Sequence, residues 1–208
     1  MDRTSYRGRT LLALLTKPEL RSASLRRRDA LSVDDRQEKS LAIATHGAEA
    51  LSRFAAGKCV AAYHPIRSEV DVALLAHMLE DAGARLALPA VLDRETIVFR
   101  AHSAAGTLVP GGFGTMAPGE EAEIVDPDIL LMPLSVFDRQ GNRIGYGAGH
   151  YDRAIERLAA KGRKPLLIAV AFDLQEAPAV PAEAHDMPLD GVITETGLAW
   201  FGDPPEGL

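Results

Sequence analysis

Apolar residues recur along this chain in short blocks, and the spacing inside the blocks changes from helical to strand-like and back. Residues 32–56 open with Ser32-Val33-Asp34-Asp35, an N-cap serine with acids in the first turn, and then place Leu41, Ala44, Ala48, Leu51 and Ala55 on one face. This spacing predicts a long amphipathic helix. Residues 17–30 are also spaced as a helix, but only Leu20 and Leu25 stand among many arginines. The apolar stripe is narrow, and a basic face is left for solvent or for an anion. After Gly57 come an apolar run over 59–63, a turn at His64-Pro65, a helical stretch over 70–82 closed by Gly83, and a run over 85–88 ended by Pro89. They predict strand, helix, strand. Residues 96–101 predict another short strand, and the glycines and proline of 109–114 leave room only for a loop, a candidate flap.

Residues 129–132 form a continuous apolar run, as a strand buried on both faces does, and a long polar loop leads from Pro133 to a predicted helix over 151–160. Residues 166–172 repeat the pattern, and 192–194 do so more weakly. Strands apolar on both faces, alternating with helices, predict an α/β fold with a mainly parallel, helix-covered sheet. No repeat or low-complexity linker divides the chain, so a single domain over 1–208 is expected, with 1–16 as an N-terminal extension.

Composition narrows the partners. A net charge of −6 gives no basic surface for nucleic acid or anionic membrane, so neither is expected as a partner. The one cysteine, Cys59, sits in an apolar run and cannot form an intramolecular disulfide, which suits a reducing, cytoplasmic compartment. Arg3, Arg7 and Arg9 precede the apolar residues 11–15 as in a signal peptide, but Lys17 and Glu19 end that run below the usual length of about 7–15 residues. No run approaches the roughly 18 apolar residues of a membrane span. A soluble monomer is the expectation.

The densest chemistry lies in Phe137-Asp138-Arg139-Gln140-Gly141-Asn142-Arg143-Ile144-Gly145-Tyr146-Gly147-Ala148-Gly149-His150-Tyr151-Asp152, after a buried strand and before a helix. Ligands of parallel sheets bind beyond the carboxyl ends of strands, where loops meet helix N-termini. Gly145, Gly147 and Gly149 remove side chains at alternate positions, so backbone N–H groups can approach phosphate oxygens. Arg143 adds a fork of donors, and Asp152 offers a carboxylate to a hard cation such as Mg²⁺. The glycines alone would equally suit a flexible turn. The loop is not a Walker A motif, because no Gly-Lys-Ser/Thr follows, and a dinucleotide fingerprint fits poorly, although Asp173 at the end of the next strand keeps that alternative open.

The stretch resembles the signature of the 5-formyltetrahydrofolate cyclo-ligase family, whose loop runs approximately F-D-x-x-G-x-R-L-G-x-G-x-G-Y-Y-D. Lys17-Pro18-Glu19-Leu20-Arg21 is similar to the family's N-terminal K-x-x-L-R, and Leu31-Ser32 with Asp35-Arg36 to the family residues just after that motif. Ser68-Glu69-Val70-Asp71 resembles its E-[IV]-[DE] element, and Ala184-His185-Asp186-Met187-Pro188-Leu189-Asp190 its C-terminal P-x-x-x-x-D-x-x-x-D. The resemblance implies a three-layer α/β sandwich related to sugar-phosphate isomerases and CoA transferases. It also implies ATP-dependent closure of 5-formyltetrahydrofolate, polyglutamylated forms included, to 5,10-methenyltetrahydrofolate. Carried over by position, Lys17, Arg21, Arg143, Ile144, Gly145, Tyr146, Gly147, Ala148, Gly149, His150 and Tyr151 would hold ATP, with Arg143 catalytic. Asp152 and Asp186 would hold Mg²⁺. His64, Glu69, Tyr146, Gly147, Ala148, Gly149 and His150 would meet the folate. Ala148 and His150 stand where glycine or lysine and tyrosine are common in the family, and His64 where an apolar residue is expected against the pterin.

Blander roles compete for the same residues. Lys17 and Arg21 suit a solvated helix face, Glu69 a first-turn acid of the helix over 70–82, and Asp186 and Asp190 ordinary turns. His64, His150 and His185 lack metal-ligand spacing. A non-catalytic relative, or an isomerase-like enzyme on the same fold, remains the alternative.

Overall fold

The computed structural model describes residues 15–183 and 186–206, so residues 1–14 of the expected extension, with the arginine-led apolar run up to Leu14, and His185 lie outside the described residues. In chain order the elements are α1 (Lys17–Asp29), α2 (Val33–Ala55), β1 (Cys59–Ala61), α3 (Ala73–Asp81), β2 (Arg85–Val91), β3 (Ile97–His102), β4 (Val109–Pro110), β5 (Met116–Ala117), β6 (Ile124–Val125), β7 (Ile129–Pro133), β8 (Val136–Phe137), β9 (Arg143–Ile144), α4 (His150–Ala160), β10 (Leu166–Val170), β11 (Gly191–Thr194) and β12 (Gly197–Trp200). An eight-stranded sheet runs β12-β11-β10-β7-β1-β2-β3-β6. Its central strands β11, β10, β7, β1 and β2 are parallel, while β12, β3 and β6 add antiparallel edges.

Side-chain alternation explains why the central runs are apolar throughout. Val60, Ile129, Leu131, Ile168 and Val170 face a core shared with Ile43, Leu51, Leu75 and Leu79 of α2 and α3. Ala61, Leu130, Met132, Leu167 and Ala169 face the opposite core, with Ala154, Ile155 and Leu158 of α4. Helices on both faces of one sheet make the expected three-layer α/β sandwich.

Several local expectations are corrected. Leu41 is 56% exposed, and Ile43 and Gly47 take the buried face of α2 instead. A Cβ on Gly47 would stand 2.8 Å from a Leu75 methyl, so the close approach of α2 to α3 needs glycine there. Ser32 caps α2 as expected, its hydroxyl accepting the Asp35 N–H at 3.0 Å. Strand β2 continues through Pro89: its pairing with β1 ends at Ala87, so the proline's missing N–H falls beyond the last bond on that side. The turn after β1 lies at Arg67–Ser68 and not at His64-Pro65, closed by the Glu69 N–H on the Ile66 carbonyl at 3.1 Å. Residues 109–114 are more than a loop, because β4 pairs with β5 around a 3-10 turn.

The segment after Pro133 is not a solvated polar loop either. Strands β8 and β9 form a hairpin whose Val136 and Ile144 pack against Leu20 of α1, Ala177 and Val180. Asp138, 1% exposed, holds its turn by accepting the N–H groups of Gln140 and Asn142, the Asn142 amide and the Val180 N–H. Polar residues here are structural because their partners are local backbone.

Candidate functional site

The sheet order places the site. The chain leaves β1 for β2, β3 and β6 on one side and returns to β7 on the other, so the loops after β1 and β7 diverge from adjacent strands at one edge. Such a switch point opens a crevice at the carboxyl ends of the strands. The loop after β1 carries His64 and Glu69, and the segment after β7 carries the hairpin and the glycine loop.

Helix α1 ties these segments together. Glu19 folds back to accept the Thr16 N–H at 2.9 Å, and Arg26, Arg27 and Arg28 in the last turn complement the helix dipole. One stripe of this helix, Lys17, Arg21, Ser24 and Arg28, reaches the loops. The basic face expected to be left for solvent is therefore partly buried. Lys17 Nζ pairs with Asp186 at 2.6 Å and Glu183 at 3.0 Å. Arg21 Nε donates to the Gly145 carbonyl at 2.7 Å, and Ser24 to the Ser135 carbonyl at 2.7 Å. Partial burial works against the charge on Lys17, but the hydrogen bonds and charges of Asp186 and Glu183 outweigh it and hold the ammonium above its usual pKa.

Arg28, absent from the sequence-derived candidates, is 1% exposed. Its Nε donates to Ser68 Oγ at 3.0 Å, Nη2 to the Tyr146 hydroxyl at 2.6 Å, and Nη1 to the Leu134 carbonyl at 3.4 Å. Ser68 in turn donates to Asp29. The Tyr146 hydroxyl also lies near enough to Glu69 to oppose the rise in that carboxyl's pKa, so one guanidinium joins the two expected halves of the site. A signal was present: Arg28 follows Lys17 and Arg21 at i+11 and i+7, the same helical face.

Glu69 is not a first-turn acid, since α3 begins only at Ala73; it is 8% exposed and accepts the Ile66 N–H at 2.8 Å. Burial raises its pKa, against the pull of the Ile66 N–H, the Arg28 charge and the Tyr146 hydroxyl. Burial first, and then the Glu69 charge, pushes the phenols of Tyr63, Tyr146 and Tyr151 upward. Two features mark this loop as built for more than packing. Arg67 holds a φ of 55°, in the left-handed region that disfavours a long side chain. The half-buried His64 keeps Nδ1 out of solvent with no hydrogen-bond partner.

The glycine loop runs from β9 to the start of α4. Gly147 has φ 98°, and a Cβ there would stand 3.3 Å from the Arg21 guanidinium. Gly149 caps α4 at φ 67° with no side-chain bond, so no cap side chain covers the positive end of that helix. Ala148 lends its carbonyl to Arg153 at 2.6 Å, and His150 Nε2 lies 2.9 Å from the Arg94 carbonyl. Ile144 is buried in the hairpin core, and Tyr151 packs half-buried against the α4 side of the sheet. Arg143 bonds Asp152 at 2.5 Å and also the Met187 carbonyl, beside Asp186.

Asp152 and Asp186 are hard oxygen donors, each already paired with a cation, and among the described residues no group of three or more His, Cys, Asp or Glu stands ready for a metal. This set suits a cation that arrives with phosphate oxygens and water, as magnesium commonly does. Asp190 is structural, its carboxylate accepting the Leu167 N–H at 2.7 Å. Asp173 starts a 3-10 turn and accepts the Thr196 hydroxyl at 3.2 Å. Burial pushes the Cys59 thiol above its usual pKa, as befits a core residue and not a nucleophile.

Comparison with known proteins agrees with this architecture. The sequence model of the 5-formyltetrahydrofolate cyclo-ligase family matches residues 14–195. The 5-formyltetrahydrofolate cyclo-ligase of Mycolicibacterium smegmatis is 34% identical over 150 residues, covering 66% of this chain and 74% of that protein. The solved 5,10-methenyltetrahydrofolate synthetase of Aquifex aeolicus superposes with a TM-score of 0.76 at 34% identity, covering 92% of this chain and 96% of that one. The synthetase of Mycoplasma pneumoniae does so with 0.71 at 25% identity, covering 87% and 99%.

Proposed function

This chain belongs to the 5-formyltetrahydrofolate cyclo-ligase family, and we propose that its crevice uses ATP to close 5-formyltetrahydrofolate to 5,10-methenyltetrahydrofolate, releasing ADP and phosphate. The observation that carries this reading is Arg28, which fastens the glycine loop to the Glu69 segment so that donors for phosphate and an acceptor for a pterin belong to one site.

The formyl oxygen is a poor leaving group. In the proposed sequence it attacks the γ-phosphorus in line with ADP departure, and N10 then adds to the activated carbon. The carbon–oxygen bond breaks, phosphate leaves, and the N10 proton is lost. Phosphoryl transfer asks the protein chiefly for position and neutralised charge. Arg143, held by Asp152 and Met187, suits the γ-phosphoryl group; Lys17, Arg21 and the backbone N–H groups of residues 144–151 suit the remaining phosphates. Magnesium accompanying ATP would neutralise phosphate charge, with Asp152 and Asp186 as its protein oxygens. Glu69 suits the amino and ring N–H groups of the pterin, and His64, on the same loop, has a buried, unpartnered ring nitrogen. Tyr146 lies between the two substrates.

We take the substrates to include polyglutamylated folates and the protein to act as a cytoplasmic monomer without nucleic acid or membrane. The acidic surface supports the last point, and no helix among the described residues is long and apolar enough to cross a membrane. The test is purified protein with 5-formyltetrahydrofolate and MgATP. The methenyl chromophore should grow in the near ultraviolet only with all three present, with one ADP per product. Equal product without ATP would overturn the reading.

A further inference from the structure

Arg28 has an unusual set of partners for a buried cation. It bonds three neutral oxygens, those of Ser68, Tyr146 and Leu134, while its counter-charges stand one step behind: Asp29 beyond Ser68, and Glu69 beyond Tyr146. A buried guanidinium normally takes a carboxylate directly, in a bidentate fork. Here a hydroxyl is interposed on each side.

The interposed phenol has a fixed polarity. A tyrosine hydroxyl owns one proton, and a guanidinium can only donate. With Arg28 Nη2 donating at 2.6 Å, the phenol oxygen acts as acceptor on that side, which leaves its own proton for another partner, and the Glu69 carboxylate is near enough to be stabilised by that hydroxyl. The guanidinium also sits 5.8 Å from the Tyr146 ring centroid, which limits the ring's swing. Glu69 is held from the other direction by the Ile66 N–H at 2.8 Å. An ionised carboxylate can accept about four hydrogen bonds, so two remain for a ligand once Ile66 and Tyr146 are served.

We propose that Arg28 is a positioning residue for folate: by filling the acceptor side of the Tyr146 hydroxyl, it locks that hydroxyl onto Glu69 and orients the carboxylate's remaining lone pairs toward the substrate's N–H groups. The inference rests on Glu69 meeting the folate, the role proposed for it in the reaction. Arg28 itself touches neither substrate. Because Tyr146 belongs to the glycine loop, the same contact brings that loop against the folate side.

Because Tyr146 itself stands beside the folate, the decision lies in combining Arg28→Lys with Tyr146→Phe, which removes one hydroxyl from a half-buried ring. Folate affinity is measured both as KM and, without turnover, as the equilibrium Kd of 5-formyltetrahydrofolate; the ATP KM and the melting temperature are measured beside it. Tyr146→Phe should raise folate Kd and KM by about fivefold or more, with the ATP KM within about twofold and a modest fall in melting temperature, since buried Arg28 loses one acceptor. Arg28→Lys, which keeps the charge without the fork, should raise them similarly, and the double variant should be no worse than the weaker-binding single. Wild-type folate binding in Tyr146→Phe would overturn the proposal, as would losses that add in the double variant. If Arg28→Lys does not fold, Arg28→Gln takes its place: wild-type folate binding in that variant overturns the proposal, and a loss that does not add to that of Tyr146→Phe supports it. Failure of wild-type protein to bind 5-formyltetrahydrofolate would instead strike the functional reading, before any variant is made.

Discussion

Arg143 and Asp152, nine residues apart across the glycine loop, meet at 2.5 Å through Nη2 and Oδ1. The pair ties β9 to the first turn of α4, so the three alternate glycines form a short arch between fixed ends. The Met187 carbonyl holds the other terminal nitrogen, and the Arg143 side chain is only 8% exposed. An arginine so held keeps its direction without a ligand, which lowers the cost of ordering it when phosphate arrives.

Asp152 would then serve two partners, orienting Arg143 and meeting a divalent cation. Asp152→Asn keeps an oxygen for the guanidinium but removes the charge a hard cation needs. The variant should fold normally and lose activity at limiting Mg²⁺ by about tenfold or more, recovering in part at high Mg²⁺. A magnesium titration at saturating ATP and folate checks this. Wild-type rates at limiting Mg²⁺ would leave Asp152 as an orienting acid alone.

For Arg143 the expectation is sharper, because a lysine cannot span Asp152, Met187 and a phosphoryl group at once. Arg143→Lys should lower kcat by about tenfold or more, with folate KM little changed. Steady-state kinetics with each substrate varied would show this, and unchanged turnover would remove Arg143 from the site.

Glu69 sets function against stability. Glu69→Gln keeps one acceptor oxygen but loses the charge and presents an unwanted donor, so folate KM should rise by about tenfold, at 1.4 kcal/mol per decade, with ATP KM nearly constant. A rise in ATP KM alone would assign Glu69 to the nucleotide side. The sign of the stability effect follows from its raised pKa, caused chiefly by burial. Such a group contributes stability that is fully present below its ordinary value of 4.5 and is lost as pH rises through the raised folded value. At neutral pH the charge therefore opposes folding, and Glu69→Gln should melt no lower than wild type. That margin should shrink as the pH falls toward 4.5, and thermal melts across this range would test it.

Two neighbouring glycines separate folding from ligand approach. Gly147 has a positive φ and Arg21 beside its missing Cβ, whereas a Cβ on Gly145 would meet nothing within 4 Å. Gly147→Ala should lose about 1–2 kcal/mol of stability as well as ATP affinity. Gly145→Ala should keep its melting temperature and still raise ATP KM, because only a bound phosphate would meet the methyl group. A Gly145→Ala protein with normal ATP KM would show that the loop does not cradle phosphate at this position.

The sequence by itself determined the features that rest on local periodicity and local chemistry. Doubly apolar runs at 129–132 and 166–172 marked strands buried on both faces, the Ser32 cap and its following stripe marked α2, and the spacing of Arg143, the glycines and Asp152 marked the loop. Tertiary structure decided the rest. The two-residue strands and β12 carry too few positions to show a period, and Pro89 is tolerated in β2 only because its neighbour β1 stops first. Leu41 lies off the buried face expected for it, and Gly47 lies on that face because α3 packs against the glycine. Above all, a polar helical stripe has the same composition whether water or protein covers it. Lys17, Arg21, Ser24 and Arg28 become a partly buried seam because they reach partners more than a hundred residues away, at Asp186, Gly145, Ser135 and Tyr146. No local pattern encodes contacts at that separation; only packing the helix across the strand ends creates them.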